Sequence, residues 1–325
     1  MKTLFLLLSL SLHAFSIVFI HVGPSPLPEH LSYSVAQARL FNPHCPIYLI
    51  AHEAALQSNP FASLNIIHVP CESLPLSPAH QEFQNCANHL QGGAGFWIWT
   101  SERFFYLDSL IRAHQLTDIF HLENDVMLYA DLEAMLPTFQ THYPNMIAAT
   151  FEKDDRCVPG FLYIANSQPM ELLANFFPRR IEEGQTDMDT LAKFKNKYQG
   201  IHIDFLPITL PEYIQNQTRP FFFKKASNPK QYTRHFEHFQ SLFDAAAIGV
   251  YLAGWDPRFH DYHEPGQVNA NCMFDASHFT YEWELDSQGR KIPILNYKGK
   301  RVRINNLHIT NKGKISLFSS LRSNS

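Results

Sequence analysis

Glu123, Asn124 and Asp125 interrupt an apolar run, with Ile119-Phe120-His121-Leu122 before them and Val126-Met127-Leu128 after. Two carboxylates set into such a run are costly to bury unless positive charge compensates them. A turn at Asn124 lets the two side chains converge. Hard oxygen ligands of this kind suit Mg2+ or Mn2+, which bridge protein carboxylates and substrate phosphates. A polar turn with two solvated acids is the alternative, and the apolar flanks weigh against it.

Other residues stand out by position. Arg103 is read in the first turn of a helix capped by Thr100 or Ser101, where the helix dipole disfavours a cation. Placed against that preference, it points to an anion such as a phosphate, or to an ion pair with Glu102 or Asp108. Gly92-Gly93-Ala94-Gly95 reads as a loop before that helix. Thr186-Asp187-Met188-Asp189 opens another helix with Thr186 as its cap, and both acids suit a first turn. Phe243 to Gly249 is a small-residue helix start carrying Asp244, close to Gly254-Trp255-Asp256-Pro257. Trp255 could stack on a sugar ring, although on general frequencies it is expected in the core.

The surrounding elements alternate. Ile17 to Val22 reads as a strand, Glu29 to Phe41 as a helix with Leu31, Val35 and Ala38 on one face, and Cys45 to Ala51 as an apolar strand. Leu64 to Val69 is a further strand, Ser101 to His114 a helix with Phe104, Leu107 and Ile111 as its buried stripe, and Thr117 to Leu122 the strand before the acids. Strands apolar on both faces fit a mostly parallel sheet sandwiched by helices, an α/β fold. Ligands of such sheets bind beyond the carboxyl ends of the strands, where Glu123 and Asp125 fall. Later, Glu282 to Ile294 reads as a hairpin around Asp286-Ser287-Gln288-Gly289, and Arg301 to Ile304 as a strand leading into Asn305-Asn306-Leu307-His308.

From Ile17 to about Lys314 the chain resembles the nucleotide-diphospho-sugar transferases of the GT-A fold. The resemblance is carried by the acid triplet, where Glu123 stands for the first Asp of a DxD-type motif, by Thr100-Ser101-Glu102-Arg103-Phe104, and by Asn306-Leu307-His308. In glycogenin-like and galactosyltransferase-like members a late histidine completes the metal site and a lysine six residues on meets the diphosphate, which maps onto His308 and Lys314. Asn311 stands where a glycine is usual and Ile315-Ser316 where Pro-Trp is usual, so Lys312 is an alternative to Lys314. The resemblance implies Mn2+ or Mg2+ on Glu123, Asp125 and His308, a UDP-sugar donor, and a glycan, protein or lipid acceptor. Arg103, Asn124, Gly160 and Asp187 join Lys312 and Lys314 as substrate-side candidates, Gly160 because the Phe151 to Ala165 region of related transferases meets sugar or acceptor. An inverting route would need a carboxylate base, with Asp189 and Asp244 as candidates. A retaining route needs none, and the His308 and Lys314 correspondence leans that way.

Composition narrows the alternatives. The 325 residues are 45% hydrophobic and 14% aromatic, enough for a sizeable core. With 26 basic against 30 acidic residues there is no basic stripe, which weighs against nucleic acid as a partner. Cys45, Cys71, Cys86, Cys157 and Cys272 are widely spaced with no CxxC pair, which leaves room for one or two bridges and none for a disulfide framework. The apolar run Leu4 to Phe15, ending at Ala14-Phe15-Ser16, reads as a signal peptide over residues 1–16, with an uncleaved membrane tether as the alternative, before a single domain over 17–325. A secretory lumen or export follows, and Asn216-Gln217-Thr218 would be an N-glycosylation site only in a eukaryotic lumen. A nucleotidyltransferase, a metal-dependent phosphohydrolase and a non-catalytic carbohydrate-binding protein remain as other readings. The first is disfavoured because Gly23-Pro24-Ser25-Pro26, after the first strand, has no Lys or Arg nearby.

Overall fold

Runs that are apolar on both faces can be satisfied only between two layers, and three of the first four strands are of this kind: β1 (Ser16–His21), β2 (Ile47–Ala51) and β4 (Ile119–Leu122). The other, β3 (Ile67–Pro70), is an edge strand with Ile67 exposed. In β1, Val18 and Ile20 enter one core while Ile17 and Phe19 enter the other. The computed structural model describes residues 14–23, 26–57, 61–87, 95–215, 228–256 and 264–320. Most of the apolar N-terminal run, Pro24-Ser25, Gly92 to Ala94, the sequon at Asn216 and Pro257 lie outside the described residues.

The remaining strands are β5 (Val126–Leu128), β6 (Ile147–Lys153), β7 (Arg156–Ile164), β8 (Ile203–Phe205), β9 (Ser241–Leu242), β10 (Thr280–Leu285), β11 (Lys291–Tyr297), β12 (Lys300–Ile304) and β13 (Asn306–His308). The central sheet has the order β3-β2-β1-β4-β7-β6-β8. All its pairings are parallel except those of β7, which runs against β4 and β6. A smaller sheet, β10-β11-β12-β9, and the two-stranded β13-β5 ladder complete the topology.

Helices cover both faces. Leu31, Val35 and Ala38 of the Glu29–Phe41 helix join Leu132, Leu136 and Phe139 of the Leu132–His142 helix on one side. Phe104, Leu107 and Ile111 of the Gly95–His114 helix join Met170 and Leu173 of the Ser167–Phe176 helix on the other. The fold class is therefore α/β, with a mostly parallel sheet between helical layers.

Several boundaries differ from the sequence reading. The helix expected at Ser101 starts at Gly95, which places Thr100, Ser101 and Arg103 inside it and removes the expected cap; the Thr100 hydroxyl donates to Trp97 O at 3.2 Å. Leu64 ends a short 3-10 turn, and β3 begins at Ile67. The hairpin is present, closed by Asp286 N donating to Arg290 O at 2.9 Å. All five cysteines are free and buried, so no bridge forms. Among the described residues no helix is long and apolar enough to cross a membrane.

Candidate metal and nucleotide site

β4 is held firmly before it delivers the acids. Phe120 packs against Phe139, Tyr163 and Phe161 with ring centroids 5.1, 5.3 and 5.9 Å away, all of them buried. Burying a phenylalanine contributes about 1.5–3 kcal/mol, so this end of the sheet is stiff. The chain then turns: Val126 N donates to Glu123 O at 3.1 Å, and Ser34 of the Glu29–Phe41 helix donates to Asn124 O at 2.8 Å. The turn at Asn124 brings both carboxylates to one side.

β13 supplies the third member. It pairs antiparallel with β5, His308 opposite Val126, and Ile309 N donates to Asp125 O at 2.9 Å. His308 Nε2 thereby lies 3.3 Å from Glu123 Oε2 and 3.3 Å from Asp125 Oδ1. One ligand atom from each of Glu123, Asp125 and His308 lies within 4.8 Å of the others. Lys312 Nζ is 3.4 Å from Asp125 Oδ2 and 3.9 Å from Asp256 Oδ2.

Arg103 reaches the cluster from the Gly95–His114 helix. Its guanidinium spans Glu123 at 2.5 Å and Asp187 at 2.6 Å. It pairs with neither of the partners expected nearby: Glu102 bonds His80, and Asp108 bonds Arg112. Arg103 acts through Glu123, holding one oxygen so that the other faces His308.

The protonation states follow. Burial alone would raise the Asp125 carboxyl, but Lys312 and His308 outweigh it and hold it well below the usual carboxylate range. Burial would lower His308, but Asp125 and Glu123 push it up to about 9. Burial pushes Asp187 up despite Arg103, with Glu123 adding to the rise. Without a bound ion, imidazolium and lysine supply the positive charge that two buried carboxylates require.

The residues fit a hard divalent cation. Two carboxylate oxygens and one imidazole nitrogen converge at the carboxyl end of β4, and His308 becomes a ligand by giving up its proton to solvent as the ion takes its place. The cluster opens onto a cleft of about 620 Å³, lined among others by His21, Trp97, Trp99, Thr100, Met188 and Trp255. Concave space of this size suits a nucleotide-sized ligand. Trp255, expected in the core, is half-buried and faces this cleft.

Gly160 and Gly249 make the geometry achievable. A β-carbon on Gly249 would lie 2.0 Å from His308 O, so that glycine lets a helix end meet β13. Gly160 bears on the imidazole itself, because any β-carbon there would crowd the ring.

The substrate-side candidates divide. Arg103, Asn124, Asp187 and Lys312 line the cleft, whereas Lys314 does not and its N–H donates to Asn311 O at 2.9 Å within the Lys312–Phe318 turn. Neither proposed base is placed for one. Asp189 turns back to accept from Thr186 N at 3.1 Å and the Thr186 hydroxyl at 2.7 Å, closing a capping box. Asp244 is buried and accepts from Ala247, Ile248 and Gly249 N at 2.8 Å and from His308 N at 3.0 Å. Its four bonds cap the Ile248–Ala253 helix and clamp β13 to it. Sequence reasoning also passed over Asp256, Trp97 and Trp99, whose only signal is proximity to Gly95 and Gly254.

No family model matches the sequence, and no curated protein matches it. Among solved structures, the chain is similar to mouse xyloside xylosyltransferase 1 in its apo form, with a TM-score of 0.43 and 8% identity over 62% of this chain and 90% of that one. It is similar to the galactosyltransferase LgtC in complex with donor and acceptor sugar analogues, with a TM-score of 0.39 and 12% identity over 67% and 82%. A cytidylyltransferase from Leptospira borgpetersenii serovar Hardjo-bovis gives 0.38 and 9% over 59% and 75%.

Proposed function

We propose that the chain transfers a sugar from a nucleoside-diphosphate sugar, read as a UDP-sugar, to an acceptor hydroxyl. The observation that carries this is the convergence of Glu123, Asp125 and His308 from β4 and β13 at the mouth of an aromatic-lined cleft. When bound by these three residues, Mn2+ or Mg2+ supplies Lewis-acid stabilisation of the charge growing on the diphosphate. Lys312 adds a second positive charge on the same side. Arg103 fixes Glu123, and Asn124, at the turn between the two acids, lines the cleft.

The arrangement of the acids supports the retaining route. Each carboxylate among the described residues lining the cleft is already engaged with a cation: Glu123 and Asp187 with Arg103, Asp125 with His308 and Lys312, and Asp256 with Lys312. The leaving phosphate oxygen is then the proton acceptor for the incoming hydroxyl. A secretory lumen, reached through the apolar N-terminal run, is the compartment we infer for a glycan, protein or lipid acceptor.

The test is calorimetric titration of UDP into the purified chain with and without Mn2+, repeated on Asp125→Ala. Binding that requires Mn2+ and disappears in the variant is expected. Binding of neither UDP nor GDP in any condition overturns the proposal.

A further inference from the structure

A second cluster of ligating side chains lies away from the cleft. His142 ends the Leu132–His142 helix, and His235 and His238 flank the start of the short Phe236–Phe239 helix. One ring nitrogen from each lies within 4.8 Å of the other two. The rings stack: His142 is 4.1 Å from His238 and 4.4 Å from His235 between centroids, tilted by 26° and 29°. None of the three lines the cleft.

The backbone holds this cluster from both sides. His235 takes a left-handed conformation with φ of 59°, and His238 N donates to His235 O at 3.0 Å, so the two imidazoles leave one turn on the same side. Phe239 packs on Phe139 at 4.9 Å, and Tyr143, next to His142, donates to Phe205 O at 2.7 Å. His235 Nε2 is buried with no hydrogen-bond partner. A buried ring nitrogen left unpaired is costly and points to an acceptor or ligand role that the protein's own groups do not fill. His238 is the solvent-facing member, with its side chain 47% exposed, so an ion can enter there and keep a water.

We propose that His142, His235 and His238 form a second metal site, selective for a borderline transition ion such as Zn2+ and independent of the Glu123-Asp125-His308 cluster. Three neutral imidazoles and a water are a recognised four-coordinate set for Zn2+. Zinc to nitrogen distances near 2.0–2.1 Å place ligand nitrogens about 3.3 Å apart, so the rings must leave their stack and turn until their in-plane lone pairs converge on the ion. Nitrogen-only donors discriminate against Mg2+ and Mn2+, whereas the carboxylate-rich cluster accepts them, so the two sites sort ions by ligand chemistry. The bound ion ties the end of one helix to the segment entering β9, whose next residues lead to Asp244.

The experiment uses tag-free full-length protein stripped with chelator, loaded with Zn2+, passed through gel filtration and analysed for metal content. Thermal unfolding is followed with and without Zn2+. Asp125→Ala is expected to retain one Zn2+ per chain and the Zn2+-dependent rise in Tm, as binding to the native state alone must produce. His238→Ala is expected to lose that equivalent and the rise in Tm, with affinity down at least tenfold, while UDP binding in Mn2+ stays unchanged. His142→Gln is expected to behave as His238→Ala does. Unchanged Zn2+ content and Tm response in both histidine variants, or loss of all Zn2+ in Asp125→Ala, overturns the proposal. Failure of the UDP titration does not touch it, because the two readouts use different residues.

Discussion

A β-carbon added to Gly160 would stand 2.7 Å from Nδ1 of His308 and 3.3 Å from its Cε1. The imidazole is thus kept on Glu123 and Asp125 by the absence of a side chain beneath it. Gly160→Ala is expected to push the ring away and weaken Mn2+ binding by roughly 10–100-fold, the usual cost of disturbing a ligand's support. The overpacking should also cost about 1–3 kcal/mol of stability. In a His308→Ala background the clash is gone, so a double-mutant cycle by urea unfolding should show most of that cost recovered. An additive pair would sink the account.

Arg103 is 7% exposed and is shared between two acids. Arg103→Met keeps the volume and strands Glu123 and Asp187. Breaking a buried pair from one side costs about 3–5 kcal/mol. Urea unfolding at neutral pH should show a loss in that range, relieved by adding Asp187→Asn. Mn2+ binding should weaken too, because Glu123 loses the group that orients it. A variant as stable as wild type would mean that solvent reaches these carboxylates.

The α/β sandwich was legible because Val18 and Ile20 alternate with Ile17 and Phe19 in a run too apolar for a one-sided sheet. Glu123 and Asp125 were legible because carboxylates rarely interrupt such a run, and His308, one of 18 histidines, only through the resemblance that maps a late histidine onto it. What stayed hidden depends on distant contacts. Arg103 was assigned to a first turn because the helix start at Gly95 has no sequence cap. Its two partners come from other elements, which no local pattern reports. Asp189 and Asp244 were singled out for their type, but backbone N–H groups claim their oxygens, and only the folded geometry shows that. Trp255 was assigned to the core by frequency and lines the cleft instead.

Asp244 gives a direct test of structural against catalytic assignment. Asp244→Asn would set an amide NH2 against backbone N–H donors on one side of the group. An unsatisfied or opposed buried donor costs about 1–3 kcal/mol. The variant should unfold at lower temperature and lose Mn2+ affinity through the slackened β13. Wild-type stability and Mn2+ affinity combined with lost turnover would instead restore Asp244 as a base.

Asp108 lies inside the Gly95–His114 helix, and burial pushes its carboxyl up to about 6 against the pull of Arg112. In the unfolded chain it titrates near 3.8, so between roughly pH 4 and 6 the folded state keeps a proton that the unfolded state has released. Stability from this group is therefore present at low pH, falls as pH rises through that window, and is level above it. The shift corresponds to about 3 kcal/mol. The stability of Asp108→Asn relative to wild type should grow by about 2 kcal/mol of this from pH 4 to pH 6.5 in urea titrations. A difference that does not vary with pH would show that Asp108 ionises normally.

The pairing of β13 with β5 also imposes an order on assembly. A chain emerging from the ribosome presents Glu123 and Asp125 long before His308 and Lys312 exist. During that interval Arg103 can reach Glu123 but neither His308 nor Lys312 is there to reach Asp125, and the mutual repulsion of the acids opposes closure of the turn at Asn124. Docking of the last strand removes the repulsion and completes the ligand set in one event. A chain stopped at Ile304 would lack β13 and with it His308 and Lys312, so divalent-ion binding doubles as a readout of whether synthesis ran past His308.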